Sequence, residues 1–288
     1  MLYSTPQEWR NSKKKKVLLF GMSGLGKTFI SNMLRVSGDW FHYSIDYRIG
    51  TRYMGEFISD SYKLSAMKTP HLNELLMTDS IYIASNITFD NLTPLSNYLG
   101  KPGNVEHGGI PISEYEKRQA QHRQAEISAL LDTGYFSQRS SEIYQYDNFI
   151  CDSGGSICEV VDPDNPNDPV LKHLFENTLL VWIKGSKNHT NSLIERFDKN
   201  PKPMCYDKSF LSERWAEFLI AKQVTDDKVD PNEFIRWTYS KALEHRQPRY
   251  EKMAKWGISI DAQDIEKVKT PAQFNSLIEK SLSKKLNS

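Results

Sequence analysis

The stretch Gly21-Met22-Ser23-Gly24-Leu25-Gly26-Lys27-Thr28 constrains the fold of this chain more than any other. It fits G-x-x-x-x-G-K-[ST], a spacing that lets a loop close around a phosphate. Val17-Leu18-Leu19-Phe20 before it reads as a buried strand, and Phe29-Ile30-Ser31-Asn32-Met33-Leu34 after it suits an amphipathic helix. In that setting the backbone N–H groups of Gly21, Ser23, Gly24, Leu25 and Gly26 curl around an anion. The helix N-terminus adds its partial positive charge. Lys27 then reaches the terminal phosphates of a nucleotide, and the Thr28 hydroxyl ligates Mg²⁺.

At 288 residues the chain has room for one large domain or two small ones. A net charge of +1 argues against a broad nucleic-acid footprint. Lys13 to Lys16 read as a solvated lead-in to the first strand. No apolar run approaches the roughly 20 residues that span a bilayer, and the N-terminus lacks a signal-peptide core. Cys151, Cys158 and Cys205 form neither a disulfide framework nor a metal-spaced cluster, so a cytoplasmic setting is expected.

Residues 1–12 are polar and read as loosely held. A second strand, Trp40 to Asp46, places Asp46 at the end where ligands gather in open α/β sheets. From Tyr47 to about Gln145 no second nucleotide unit is evident, and the segment reads as a mostly helical insertion. Within it, 80–84 reads as a short strand or a helix end. Ser113 and Glu116 give a capping box for a helix running to about Leu131. Further strands are expected at Tyr146–Cys151, Thr178–Ile183 and Gly257–Asp261. The helix bearing Arg196 breaks at 199–203, and Asp230-Pro231-Asn232-Glu233 starts another that Pro248 should kink or end. Alternation of strands and helices predicts a parallel sheet covered on both faces.

Several residues carry two readings each. Asp152, after an apolar strand, suits an acid that organises Mg²⁺ or a turn cap. Gly154-Gly155 suits close approach of a ligand or a tight turn. Asp46 suits contact with an attacking hydroxyl or a strand-end cap. Arg48 and Arg52 hold an anion or form surface ion pairs. Arg123 and Arg246 suit a bidentate clamp on a carboxylate or phosphate, or the surface. Glu126 lies three residues from Arg123 on the same helical face. His122 reads as structural.

Taken in order, these positions resemble the shikimate kinase family. The phosphate loop matches. Asp46 stands where the family's second-strand aspartate holds the acceptor hydroxyls. His122-Arg123-Gln124-Ala125-Glu126 resembles Phe-Arg-x-x-Glu, whose arginine binds the substrate carboxylate and whose glutamate orients it. Ile150 to Gly155 resembles the strand ending in glycines, and Leu193 to Phe197 the helix whose arginine, here Arg196, stacks on adenine. Lys202-Pro203-Met204 resembles the lid's Arg-Pro-Leu. Glu244 to Tyr250 resembles Glu-Arg-x-Pro-x-Tyr, with Arg246 as a second carboxylate ligand. Three departures stand out. Ser44 replaces the first acid of Asp-x-Asp. Lys202 replaces the lid arginine and is a point charge, not a fork. The insertion exceeds the family's acceptor domain, so an acceptor other than shikimate is implied.

The resulting expectation is an α/β phosphate-loop NTPase fold: a five-stranded parallel sheet with helices on both faces, a large helical insertion and a lid. Residues 1–46 with 146–288 form the core, with the lid at about 198–230, and 47–145 form an acceptor-binding insertion. The implied activity is transfer of the γ-phosphate of ATP, with Mg²⁺, to a hydroxyl of a small anionic metabolite. Lys27 and Asp46 are the catalytic residues. Arg196 and Lys202 complete the nucleotide site, Thr28 and Asp152 the metal site. Asp46, Arg123, Glu126, Gly154, Gly155 and Arg246 make the acceptor site. Neither a membrane nor a nucleic acid is expected as partner, and the sequence leaves the oligomeric state open. A non-kinase ATPase or nucleotide-gated regulatory module is the alternative, and a polynucleotide 5′-kinase the third reading.

Overall fold

Four consecutive residues of β1 (Lys16–Phe20), Val17 to Phe20, are wholly shielded from solvent and form the middle of a five-stranded sheet. A computed structural model of the protein describes residues 1–199 and 201–287. The other strands are β2 (Trp40–Ser44), β3 (Asn148–Asp152), β4 (Leu179–Lys184) and β5 (Ile258–Asp261), in the order β2-β3-β1-β4-β5. Every pairing is parallel. A sheet of this kind needs both faces covered, which is why its strands read as nearly unbroken apolar runs.

The helices in chain order are α1 (Pro6–Asn11), α2 (Lys27–Val36), α3 (Ile45–Arg48), α4 (Gly55–Ala66), α5 (Pro70–Met77), α6 (Thr93–Leu99), α7 (Ile112–Glu142), α8 (Ile157–Val160), α9 (Pro169–Asn177), α10 (Lys187–Lys199), α11 (Lys208–Lys222), α12 (Pro231–Ala254), α13 (Ala262–Ile265) and α14 (Pro271–Leu286). A π-helical turn spans Ile49–Tyr53. The expected α/β class and five parallel strands are present.

Local expectations fail in five places. The first twelve residues are not loosely held. Thr5 and Glu8 make a reciprocal capping box for α1, and Trp9 is buried with its ring edge-on to Tyr3 at 5.1 Å. β2 stops at Ser44, so Asp46 lies in the helical turn α3 rather than on a strand. Residues 80–84 form neither strand nor helix. Ser113 is not an N-cap, because α7 begins at Ile112 and runs to Glu142. Thr133, Ser137 and Ser140 are buried along the part of α7 beyond the end expected near Leu131, continuing a stripe that starts at Ala129 and Leu130. Pro248 does not end α12. Beyond it, Tyr250 and Met253 are fully buried and Arg249 Nε donates to the Cys158 carbonyl at 2.7 Å, which anchors the last turns.

The chain divides into two compact units. The first comprises Met1–Ile45, 127–199 and Arg236 onward, and contains the sheet. The second comprises Asp46–Glu126 and Pro201–Ile235. Residues 127–145, placed in the insertion by sequence, group with the sheet. Residues 201–230, placed in the core as its lid, group with the insertion; Asn200 of that lid lies outside the described residues.

Within the second unit the cause is visible. Gln119 of α7 holds the segment after Pro203 at both ends of its amide: Nε2 donates to the Met204 carbonyl at 3.0 Å, and Oε1 accepts from Tyr206 N at 2.9 Å. Tyr115 Oη donates to the same Met204 carbonyl at 2.9 Å. Trp215 and Phe218 of α11 meet Phe234 edge-on at 4.8 and 5.4 Å.

Candidate functional site

The first unit carries the glycine-rich loop between β1 and α2. Gly21 has φ +133°, and a Cβ there would sit 2.6 Å from the Ile183 carbonyl oxygen on β4, so no side chain fits. Gly24, at φ +85°, lies under α10: a Cβ there would meet Leu193 at 2.9 Å and the Arg196 guanidinium at 3.4 Å. Gly26, also left-handed, is the N-cap of α2. Lys27 is 6% exposed, and its Nζ donates to the carbonyls of Gly21 at 2.7 Å and Met22 at 2.9 Å. The loop is therefore wrapped around its own lysine, with Arg196 beside Gly24.

Sheet order brings Asp152 to this loop. β3 lies directly beside β1, with Leu19 in register with Asp152. Ser153 Oγ donates to the Leu19 carbonyl at 3.0 Å and fixes the strand end. The Asp152 carboxylate is buried and held at both oxygens: Thr28 Oγ1 donates to Oδ2 at 3.1 Å, and His42 Nε2 lies 3.0 Å from Oδ1. Ser44, at the end of β2, is in register with Asp152 and also buried. Sequence reasoning missed His42. Its signal was the period-2 pattern of β2, which puts His42 on the face of Ser44.

Gly155 is approached by backbone. A Cβ there would lie 3.3 Å from Ser23 N in the phosphate loop and 3.8 Å from Arg246 Nη1. The Gly154-Gly155 turn thus borders the loop, and the Tyr250 hydroxyl donates to the Gly155 carbonyl. Arg246 is not a surface arginine. It is 1% exposed, and its Nε donates to Glu159 Oε1 at 2.7 Å. Glu159 of α8, also missed by sequence reasoning, is 4% exposed and has His245 Nε2 at 3.4 Å. Burial alone would raise the Glu159 carboxyl. His245 and Arg246 together outweigh that and hold it below its ordinary value.

The residues present suit a nucleotide with Mg²⁺. The cradle has no room for side chains at Gly21 and Gly24, and a buried ammonium lies within it. Among the described residues no cluster of three or more His, Cys, Asp or Glu converges as a metal cage would. A hydroxyl and a neighbouring carboxylate form the partial shell that Mg²⁺ uses, the rest being water and phosphate oxygens.

The second unit holds Asp46, Arg123, Glu126 and Lys202. Asp46 follows β2 by two residues. Arg123 is exposed on α7, and Lys202 is exposed in the segment before α11. Glu126 is fully buried, with His122 Nδ1 at 3.8 Å from its Oε2. Burial lowers the His122 imidazole to about 4. A histidine that protonates less readily folded than unfolded stabilises the neutral-pH fold, and that stability is lost as pH falls from 6.5 towards 4. The loss is at most roughly 3 kcal/mol. In urea unfolding, His122→Gln should therefore flatten the stability profile between pH 6.5 and 4. An unchanged slope would show that His122 does not carry it.

Cys151, Cys158 and Cys205 are unbridged. Burial pushes the Cys158 thiol up to about 12, which leaves it inert. Among the described residues no helix is long and apolar enough to cross a membrane.

No protein-family model and no curated protein matches the chain. Among solved structures, a shikimate kinase from Bacteroides thetaiotaomicron is similar over 95% of this chain and 97% of its own, at 15% identity and a TM-score of 0.37. At that TM-score the likeness adds nothing to the topology and site geometry already described.

Proposed function

We propose that the chain is an ATP-dependent phosphotransferase, moving the γ-phosphate to a hydroxyl of a small anionic metabolite, in the cytoplasm. One observation carries the reading. The glycine loop, a buried Lys27 within it and the Thr28–Asp152 pair occur together at the C-terminal ends of adjacent parallel strands. Such a constellation positions phosphates and neutralises charge, which is most of what phosphoryl transfer asks of a protein.

In this reading the loop amides from Gly21 to Gly26 hold the phosphates, and Lys27 turns from the loop carbonyls to the terminal phosphate oxygens. Arg196, beside Gly24, lies against the base, and Lys202 supplies a further cation. Thr28 and Asp152 would hold Mg²⁺, which supplies charge neutralisation across the phosphates when bound. Asp46 accepts the hydrogen bond of the attacking hydroxyl, and Arg123, oriented by Glu126, takes the acceptor's anionic group. Arg246 already has a carboxylate partner in Glu159, so its part is to support the Gly154-Gly155 turn rather than to clamp the acceptor.

The test is ADP release screened over hydroxy acids, sugar acids, nucleosides and phosphorylated alcohols, with the phosphorylated product identified by mass spectrometry. Arg123→Lys keeps the charge but loses the fork, and should cost on the order of ten- to a hundredfold in acceptor kcat/KM, the equivalent of one charge-assisted hydrogen bond. Asp46→Asn should lower turnover more than acceptor binding. Full activity in Arg123→Lys would remove that residue from the acceptor site. Hydrolysis stimulated by a macromolecule, with no small acceptor found, would replace the kinase by a regulatory ATPase.

A further inference from the structure

The β2 strand sorts its side chains onto two faces. Phe41 and Tyr43 join an aromatic layer with Phe149, at ring separations of 6.1 and 6.2 Å. Trp40, His42 and Ser44 take the other face, where Trp40 meets Phe274 edge-on at 5.9 Å. On that face His42 is in register with Ile150 but reaches two residues further along β3, to Asp152. Both side chains are almost fully buried, at 2% and 8% exposure. A carboxylate oxygen only accepts, so the hydrogen in this contact sits on His42 Nε2.

The two oxygens of Asp152 then have distinct neighbours. With Oδ1 fixed by His42, the carboxylate cannot rotate about its bond to Cβ, and Oδ2 stays turned to Thr28. Accepting the Thr28 hydrogen fixes the rotor of that hydroxyl and leaves its lone pairs directed away from Asp152. A hydroxyl so oriented can face a cation beside α2, whereas one left to rotate would have to be ordered on binding. Groups behind a metal ligand act in this way, and their loss commonly weakens metal binding 10- to 100-fold.

We infer that His42 is a positioning residue for the divalent cation that accompanies the nucleotide: through Asp152 it sets the orientation of the Thr28 hydroxyl. The inference rests on the nucleotide reading above and concerns a residue that the loop motif does not include.

Binding, without turnover, tests it. Nucleotide affinity of the full chain is measured by calorimetry for ATP in EDTA and for ATP across a Mg²⁺ titration. His42→Leu should leave the metal-free affinity within about twofold and raise the Mg²⁺ concentration at half-saturation about tenfold or more. His42→Gln keeps an N–H close to the position of Nε2 and should return the midpoint to within about threefold of wild type. His42→Asn places its amide near Nδ1, short of Oδ1, and supplies the loss variant if the leucine protein does not fold. An unchanged Mg²⁺ midpoint in the loss variant overturns the inference. So does an equal loss of affinity with and without Mg²⁺, or a glutamine variant no better than leucine. In each of those cases wild type still binds Mg²⁺ and ATP together and Lys27→Ala does not, so the nucleotide reading stands. If wild type shows no Mg²⁺-dependent nucleotide binding, that reading fails and the inference with it.

Discussion

Lys27→Ala is expected to abolish turnover and to remove most of the thermal stabilisation that ATP gives the wild-type protein. The Lys27 ammonium lies inside the loop, held 2.7 and 2.9 Å from two of the loop's own carbonyls, so it needs only a short swing to exchange those acceptors for phosphate oxygens. A ligand that binds only the folded state stabilises it by RT ln(1 + [L]/Kd). A ligand present at 100 times its Kd contributes about 2.7 kcal/mol, and a hundredfold weaker site reduces this to about 0.4 kcal/mol. The unliganded fold should persist. Lys27 opens α2, where alanine is the best helix former, and the sheet beneath is built from other side chains. The measurement is the unfolding midpoint with and without ATP in both proteins. An equal ATP-induced shift in Lys27→Ala would refute the nucleotide assignment, whereas a lowered midpoint without ATP would show that the lysine also braces the loop.

The strand–loop–helix unit behind that assignment was legible because every part of it is local. A strand, a glycine loop and a helix occupy one run of twenty-one residues, Lys16–Val36, and each announces itself through apolar run length, spacing or capping. The other strands were legible for the same reason, to within a residue or two at most ends. Pairings across the chain were not. His42 and Asp152 are 110 residues apart, and Glu159 and Arg246 are 87 apart. Nothing in the neighbourhood of either member names its partner. Arg246 shows the cost. As a lone arginine on a helix it suited an anion clamp, but parallel pairing of β3 with β1 sets the turn after β3 beside the phosphate loop, and α8 then supplies Glu159 as its anion. The division into units was hidden likewise, because Gln119 and Tyr115 grip residues 204–206 through backbone groups that have no sequence signature. The capping box of α1 was in plain sight as Thr5-Pro6-Gln7-Glu8, and only the polar composition around it masked Trp9 as a core residue.

The buried pair makes the second large prediction, one of stability. Arg246→Leu should destabilise the fold by about 3–5 kcal/mol at neutral pH, because it leaves the Glu159 carboxylate buried without its guanidinium. Glu159→Leu should cost a similar amount by stranding Arg246. The double substitution should recover most of the loss, since two leucines in a site lined by Tyr250 and Cys158 carry no desolvation cost. Urea unfolding of the four proteins gives the coupling energy directly, and a value below about 1 kcal/mol would show the pair to be energetically incidental. The pH dependence separates this pair from His122. A carboxyl whose folded value is depressed contributes stability above its unfolded value, ordinarily 4.5, and loses it as pH falls through the lower folded value. Glu159 therefore acts below pH 4.5, His122 between 6.5 and about 4. In Glu159→Leu/Arg246→Leu the loss below pH 4.5 should shrink by the share that Glu159 carries, while the loss between pH 6.5 and about 4 remains. If acid unfolding of the double variant follows the wild-type curve throughout, the Glu159 carboxyl is not held below its ordinary value, and Arg246 would then have to be explained as a guanidinium placed for a ligand rather than for the fold.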